Sequence, residues 1–233
     1  MTSASVFLKA ILSQNTMREL IQQLSATFSL VARCSRTNEL GVCVATAIPA
    51  VGSVVPYAEI GVGAIATQAL TNVTYGTQGL ELLRLGLSPQ EALERMLRED
   101  SERESRQVIM IDAQGRTAAF TGSANVDWKG HLVGENYVAA GNMLVGEQVI
   151  QAMAEAFEAS RGELEERLLV ALEAGQKAGG DKRGKRSAAL LVIKRREYRG
   201  VRPFIDLRVD YHEEPLEELR RIFEAYKAWS IQL

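Results

Sequence analysis

The chain has 233 residues, 46% of them hydrophobic, so it can bury one large core, and no segment has the composition of an interdomain linker. Its 27 basic and 29 acidic residues give a formal net charge of -2, which offers no electrostatic reason to expect nucleic acid as a partner. No apolar run in the sequence approaches the roughly 20 residues that span a bilayer, so we expect no membrane association and a cytoplasmic location.

The beginning of the chain differs in pattern from the remainder. Apolar residues recur at helical spacing in segments 5–12 and 17–24, so residues 1–26 are predicted to be an N-terminal extension or leader that is helical. The two β-rich runs that follow, Thr27–Arg33 and Glu39–Ala47, are joined by a polar turn. This arrangement predicts an antiparallel hairpin.

The next part of the chain combines a strand with two helices. The run Gly61–Leu70 is rich in small apolar residues and predicts a strand that is buried on both faces. Helical spacing follows at Thr77–Leu85. Ser88 then begins a second helix as its N-cap, with Pro89 at the first helical position and Glu91 as the capping-box partner.

The middle of the chain returns to strands. Gln107–Asp112 and Arg116–Thr121 are separated by a short turn that contains glycine, which predicts a second hairpin. The segment from Gly122 to Gly141 is rich in Gly, Asn and Asp and is predicted to be a loop. Two helices, at about 146–160 and 162–177, are expected after it.

The last part of the chain adds strands and a closing helix. Strands are predicted at Ser187–Arg195 and Phe204–Val209, and an amphipathic helix at 213–229. Runs of strands that alternate with pairs of helices favour two stacked antiparallel sheets with a helical layer on each outer face. We therefore predict an α+β protein, a four-layer αββα sandwich, in which residues 27–233 form a single domain.

Several stretches match one known family in their order and spacing; they are Thr27–Arg33, Glu39–Val42, Gly61–Gln68, Tyr75-Gly76, Asp127-Trp128, Gly141-Asn142 and Gly179–Gly184. On these stretches, the chain from Thr27 to about Asp210 resembles an uncharacterised, domain-of-unknown-function family of predicted N-terminal-nucleophile (Ntn) hydrolases. That family is distantly related to proteasome subunits. The resemblance implies the αββα fold and an amidase activity.

The resemblance implies that Thr27 is the catalytic nucleophile. In this superfamily the base that takes the proton of the threonine hydroxyl is the α-amine of the same residue, whose reference pKa lies near 8. That amine exists only on a first residue, so the implied acyl-threonine chemistry requires removal of residues 1–26. The alternative, from the residues alone, is that Thr27 is an ordinary β-branched strand residue.

Other residues are candidates for assisting Thr27. By superfamily analogy, oxyanion or substrate-binding groups are expected at Thr67 and Gln68, near the end of the third predicted strand. Asn142 could supply another amide, although loop asparagines often satisfy their own backbone. Arg33 lies six residues after Thr27 on the same face of the strand, and it either tunes the amine or ends the strand at the surface.

The segment between the last helix pair and the following strand contributes Asp181, Arg183 and Ser187. The superfamily places an Asp and a Ser from a comparable region near the nucleophile, whereas the alternative is a helix C-cap followed by a salt-bridged turn. The chain departs from proteasome-like members at two points. Thr46 stands where they have an acidic residue, and there is no lysine between Lys9 and Lys129.

Other reaction classes lack their motifs. Without a Gly-x-Ser-x-Gly elbow, His131 and His212 give little support to a Ser-His-Asp triad. No His-Glu-x-x-His and no Cys-x-x-Cys pair is present, so neither a metal nor another cofactor is expected. We expect a small-molecule or peptide-like amide as substrate, and a homo-oligomer. The alternative is a non-catalytic scaffold or small-molecule-binding protein with the same fold.

Overall fold

A computed structural model describes residues 27–194 and 205–230, and the predicted extension 1–26 lies outside these described residues. Within them the strands are β1 (Thr27–Arg33), β2 (Leu40–Thr46), β3 (Pro56–Glu59), β4 (Gly63–Ala69), β5 (Arg106–Asp112), β6 (Thr117–Thr121), β7 (Gly130–Gly134), β8 (Tyr137–Asn142), β9 (Ser187–Ile193) and β10 (Ile205–Val209). The α-helices are α1 (Thr74–Arg84), α2 (Pro89–Glu99), α3 (Gln148–Ala159), α4 (Leu164–Lys177) and α5 (Pro215–Ser230).

The strands form two sheets that are stacked face to face. The first is six-stranded in the order β10-β9-β2-β1-β8-β7, and the second is four-stranded in the order β3-β4-β5-β6. Neighbouring strands are antiparallel in both sheets. Val31 and Val44 of the first sheet pack against Ala66 and Ile109 of the second. The predicted hairpin of β1 and β2 is confirmed, and it lies in the middle of the larger sheet.

Helices cover the outer face of each sheet. The outward-facing Phe28 packs with Leu168 of α4 and Phe223 of α5 on the larger sheet. On the smaller sheet, Ile65 packs with Leu80 of α1 and Leu93 of α2. This arrangement confirms the predicted four-layer αββα sandwich. None of the helices in the described residues has the length and apolar composition needed to cross a membrane.

The predicted loop between Gly122 and Gly141 is wrong, because the second half of this segment forms β7 and most of β8. The β8 sequence YVAAGN contains residue types that are depleted in strands, so its local composition resembles a loop. Its position decides otherwise, since β8 pairs with both β1 and β7 and is buried along its whole length. Pairing with these two strands outweighs the low intrinsic strand propensity of the β8 sequence.

The start of α2 contains the predicted capping box. The Glu91 backbone N–H donates to Ser88 Oγ at 3.3 Å, and the Ser88 backbone N–H donates to Glu91 Oε2 at 2.8 Å. We expect Ser88→Ala to lower the free energy of unfolding by about 1 kcal/mol, because an N–H of the first turn loses its acceptor.

Urea unfolding measures the effect of Ser88→Ala. The matched control is Ser101→Ala, which changes an exposed serine in a turn beyond α2 and should alter the stability by less than about 0.5 kcal/mol. Equal losses in the two variants would contradict a specific role for the cap.

Candidate functional site

Four polar side chains form a row across one end of the six-stranded sheet. Thr27 on β1 is paired with Thr46 on β2 and with Asn142 on β8, and Thr46 is paired in turn with Ser187 on β9. Directly paired residues project from the same face of a sheet. Here that face is the one whose Val31 packs between the sheets. The row therefore points into the space between the two sheets.

Thr27 is buried, with 3% of its surface exposed, and its hydroxyl has a polar neighbour. Thr27 Oγ1 donates to Thr46 Oγ1 at 3.2 Å, and Thr46 Oγ1 lies 3.4 Å from the backbone nitrogen of Ile48, from which it accepts. Nε2 of Gln68, from the opposite sheet, lies 3.5 Å from the Thr27 carbonyl oxygen. Thr27 is thus in contact with polar groups from both sheets.

Asp181 supports the row from behind Thr46. Its fully buried carboxylate accepts the backbone N–H of Ala47 at 2.9 Å, on the residue that follows Thr46. The Arg183 guanidinium bonds both oxygens of the same carboxylate, and the Arg183 backbone N–H adds a third donor at 2.8 Å. Asp181 and Arg183 therefore form an ion pair that fixes the backbone where β2 leaves the site.

Ser187 holds the loop that follows β2. Its hydroxyl donates to the Ile48 carbonyl at 2.6 Å and accepts the Val51 backbone N–H at 3.1 Å. Ala50 in this loop has a left-handed backbone with φ of 60°. Such a conformation is unfavourable for alanine and persists only where surrounding contacts impose it. Ser187 supplies two of these contacts.

Left-handed residues also follow two other polar side chains of this region. Ala69, with φ of 70°, comes directly after Gln68, and Met143, with φ of 54°, comes directly after Asn142. Non-glycine residues in this conformation cost about 1–3 kcal/mol each and concentrate at functional sites. Their grouping around Thr27 supports the assignment of this end of the sandwich as the candidate site.

Buried amides connect the two sheets beside Thr27. Gln107 on β5 is fully buried, and its Oε1 accepts from Gln68 Nε2 at 2.8 Å and from Asn142 Nδ2 at 2.9 Å. Gln68 Oε1 in turn accepts from the Ser29 hydroxyl at 2.7 Å. The network sets the orientation of Gln68 and Asn142, the two amides that lie next to Thr27.

Ser29 and Gln107 are not among the site residues that the sequence predicts. Both lie in predicted strands, Thr27–Arg33 and Gln107–Asp112, whose other residues are mostly apolar. Buried polar side chains in native proteins are hydrogen-bonded. Polar residues at inward strand positions were therefore the signal that could have identified the network.

The structure does not bring Arg33 to Thr27. The two residues occupy opposite ends of the seven-residue strand β1, which places them about 20 Å apart at the usual rise of a strand. Arg33 Nη1 donates to Asn136 Oδ1 at 3.0 Å, and its Nη2 is bonded to Asn38. Arg33 shares a face with Thr27 but is too distant to tune its amine.

Thr67 also lies away from the row, because successive residues of a strand project from opposite faces. Gln68 points between the sheets, so Thr67 points outward, and its hydroxyl donates to the Asn72 carbonyl at 3.1 Å. Its backbone N–H donates to the Val55 carbonyl at 3.2 Å. Of the two residues expected to bind an oxyanion on this strand, the structure places only Gln68 beside Thr27.

The site thus combines hydroxyl and amide side chains with the adjacent ion pair of Asp181 and Arg183. Thr27, Thr46 and Ser187 supply hydroxyls, and Gln68 and Asn142 supply amide groups that can both donate and accept. Such a set can bind and orient a polar, uncharged group such as an amide through hydrogen bonds.

Comparisons with known proteins agree with this fold. The crystal structure of a protein from Silicibacter pomeroyi, itself described as DUF1028, superimposes with a TM-score of 0.80 at 37% sequence identity and covers 86% of each chain. No curated protein matches the chain. Residues 27–219 match the family of unknown function DUF1028, a region that begins at Thr27. The chain therefore belongs to the DUF1028 family.

Proposed function

We propose that the chain is an N-terminal-nucleophile hydrolase that cleaves an amide bond of a small-molecule or peptide-like substrate through an acyl-threonine at Thr27. The observation that carries the proposal is the row of Ser187, Thr46, Thr27 and Asn142, in which Thr27 occupies the end of a central strand between two sheets. Removal of residues 1–26 would create an α-amine at this position.

The reaction requires that amine. While Ala26 is bonded to Thr27, the nitrogen is an amide without basicity, so the general base is missing. Once freed, the amine takes the proton of Oγ1, Oγ1 attacks the substrate carbonyl, and the proton passes to the leaving amine. Water then hydrolyses the acyl-threonine and restores the hydroxyl.

Gln68 and Asn142 supply donors for the oxyanion. Each amide nitrogen carries two hydrogens, and one from each is used by Gln107 Oε1, at 2.8 and 2.9 Å. The second hydrogen of Gln68 Nε2 makes only a long contact of 3.5 Å with the Thr27 carbonyl oxygen, and we expect it to turn to an acyl oxygen bound beside Thr27, together with the second hydrogen of Asn142 Nδ2. Because Gln107 holds both amides in advance, little reorganisation is needed as charge develops on that oxygen.

The burial of Thr27 favours self-cleavage over trimming by an external protease. Proteases cut exposed and mobile segments, whereas Thr27 is 3% exposed and is paired with strands on both sides. In self-cleavage, Oγ1 attacks the Ala26 carbonyl, the acyl group moves from nitrogen to oxygen, and the α-amine is released. Water then hydrolyses the ester, which leaves Ala26 with a carboxylate.

Intact-mass measurement of the purified full-length chain tests this step. We expect a species that begins at Thr27, and we expect Thr27→Ala to remain at full length because it lacks the attacking hydroxyl. Thr27→Ser keeps the hydroxyl and should still be processed. Processing of Thr27→Ala would assign the cleavage to an external protease.

Covalent labelling separates the enzyme from a non-catalytic scaffold. A chain that starts at Thr27, with its initiator methionine removed, should react with a threonine-directed electrophile, while an unprocessed full-length chain should not. Labelling of neither form would favour the scaffold. Equal labelling of both would show that the probe does not depend on the free amine.

A further inference from the structure

A cluster of three carboxylates lies at the opposite end of the six-stranded sheet. Glu39 directly precedes β2, and Glu163 and Glu165 lie at the start of α4. One carboxylate oxygen from each residue lies within 4.8 Å of the other two. The length of β2 separates the cluster from Thr46 by about 20 Å, so it is independent of the site around Thr27.

Two of the three carboxylates are buried and incompletely partnered. Glu39 is 3% exposed and Glu165 is 7% exposed, and Oε2 of each is buried without a hydrogen-bond partner among the described residues. A buried carboxylate oxygen that lacks a donor is costly. Both side chains therefore have an unfilled requirement for a positively charged or donating group.

Among the described residues, the ion pairs of Lys194 with Glu39 and of Arg36 with Glu163 leave part of this requirement unmet. Lys194 Nζ lies 3.3 Å from Oε1 of Glu39, and Oε2 of Glu39 remains without a hydrogen-bond donor among the described residues. Arg36 lies 3.5 Å from Glu163, but both of these side chains are more than half exposed, and such surface pairs contribute little. Burial, together with the nearby Glu39, raises the pKa of Glu165 despite the opposing effect of Lys194.

We propose that Glu39, Glu163 and Glu165 form a binding site for a divalent cation of the size of calcium. Calcium binds carboxylate oxygens at about 2.3–2.6 Å, so two oxygens on one ion can lie about 5 Å apart. A span of up to 4.8 Å meets that limit. Magnesium demands near-ideal octahedral geometry and gives up its bound waters reluctantly, so a largely buried cluster of three carboxylates suits calcium better.

The exposed Glu163 leaves room for water to complete the coordination, as calcium requires six to eight oxygen ligands. The ion would join the beginning of β2 to the first turn of α4. It would offset the repulsion among three carboxylates, of which Lys194 offsets only part. Its main effect would be on stability, and Thr27 chemistry would not depend on it directly.

Calorimetric titration of the chelator-treated full chain with Ca²⁺ tests the proposal. We expect saturable binding at one site, and a rise in Tm of about 5 °C or more when free Ca²⁺ reaches one hundred times its Kd. Mg²⁺ at the same concentration should raise Tm less. The absence of both the binding heat and the Tm shift with Ca²⁺ would overturn the proposal.

Glu163→Gln removes the exposed ligand, should leave folding intact, and should weaken Ca²⁺ binding at least about tenfold. Glu165→Gln should abolish the binding. Glu155→Gln, at an exposed position on α3, is the matched control and should bind as the unaltered chain does. If Glu165→Gln raised Tm and Ca²⁺ had no effect on the unaltered chain, the proposal would be overturned. The result would then indicate that Glu39 and Glu165 share a proton instead of binding a cation.

Discussion

Replacing Thr27 with valine in a chain that begins at residue 27 should lower the rate of labelling by a threonine-directed electrophile about 10³-fold or more. Valine keeps the β-branched shape, so the packing between the two sheets is preserved, but it removes the attacking oxygen. The rate of mass increase under single-turnover conditions measures the effect. Labelling should also become faster as pH rises through the pKa of the amine, near 8, because only the neutral amine accepts the proton.

Thr27→Ser is the matched control for this substitution. Serine retains the hydroxyl and the α-amine, so its labelling should remain within about tenfold of that of the threonine form. If the valine and threonine forms were labelled at the same rate, the reactive group would lie elsewhere. Peptide mapping would then distinguish the other hydroxyls of the row, Thr46 and Ser187, as the sites of attachment.

Gln107→Leu should lower the free energy of unfolding by about 4 kcal/mol. Besides accepting from Gln68 and Asn142, Gln107 donates through Nε2 to the carbonyl oxygens of Gly130 at 3.0 Å and Gly141 at 2.9 Å. The same Nε2 also lies 2.9 Å from Thr121 Oγ1. Leucine removes the partner of all five groups, and each group that stays buried and unpaired costs about 1–3 kcal/mol before relaxation. Urea unfolding provides the measurement.

Gln90→Leu is the control for Gln107→Leu, since Gln90 lies exposed on α2 and its side chain donates to Glu94 on the same helix at 2.7 Å. We expect it to change the stability by less than about 0.5 kcal/mol. A loss below about 1 kcal/mol for Gln107→Leu would mean that the amides of Gln68 and Asn142 find other partners. In that case the network would not orient the site.

The architecture could be predicted from the sequence because most strands and helices have strong apolar patterns. Thr27–Arg33 and Ser187–Ile193 are continuous β-rich runs, and α2 carries a complete capping box. The strands that escaped prediction have weak local signals. β3 begins with Pro56 at the edge of its sheet, and β8 is composed largely of residues that prefer other structures. Their formation depends on pairing with strands that are distant in sequence.

Only part of the candidate site could be predicted from the sequence. Two residues on the same face of a strand need not lie close together in the folded protein. Arg33 lies on the same face of β1 as Thr27 but is distant from it, since the whole of β1 separates the two residues. Thr67 and Gln68 could never both face Thr27, because adjacent strand residues alternate. Finding Gln107 required the pairing between β4 and β5, which local sequence does not specify.

The row at Thr27 also has a consequence for the order of events during synthesis. Two of its members, Asn142 and Ser187, lie on strands from the second half of the chain, and both strands must pair with the β1–β2 hairpin before the row exists. Contacts between such distant segments form late in folding. A chain still attached to the ribosome, with Ser187 not yet emerged, would lack the row. The proposed cleavage before Thr27 would then act as a signal that the entire larger sheet has closed, and a chain truncated before Ser187 should retain residues 1–26.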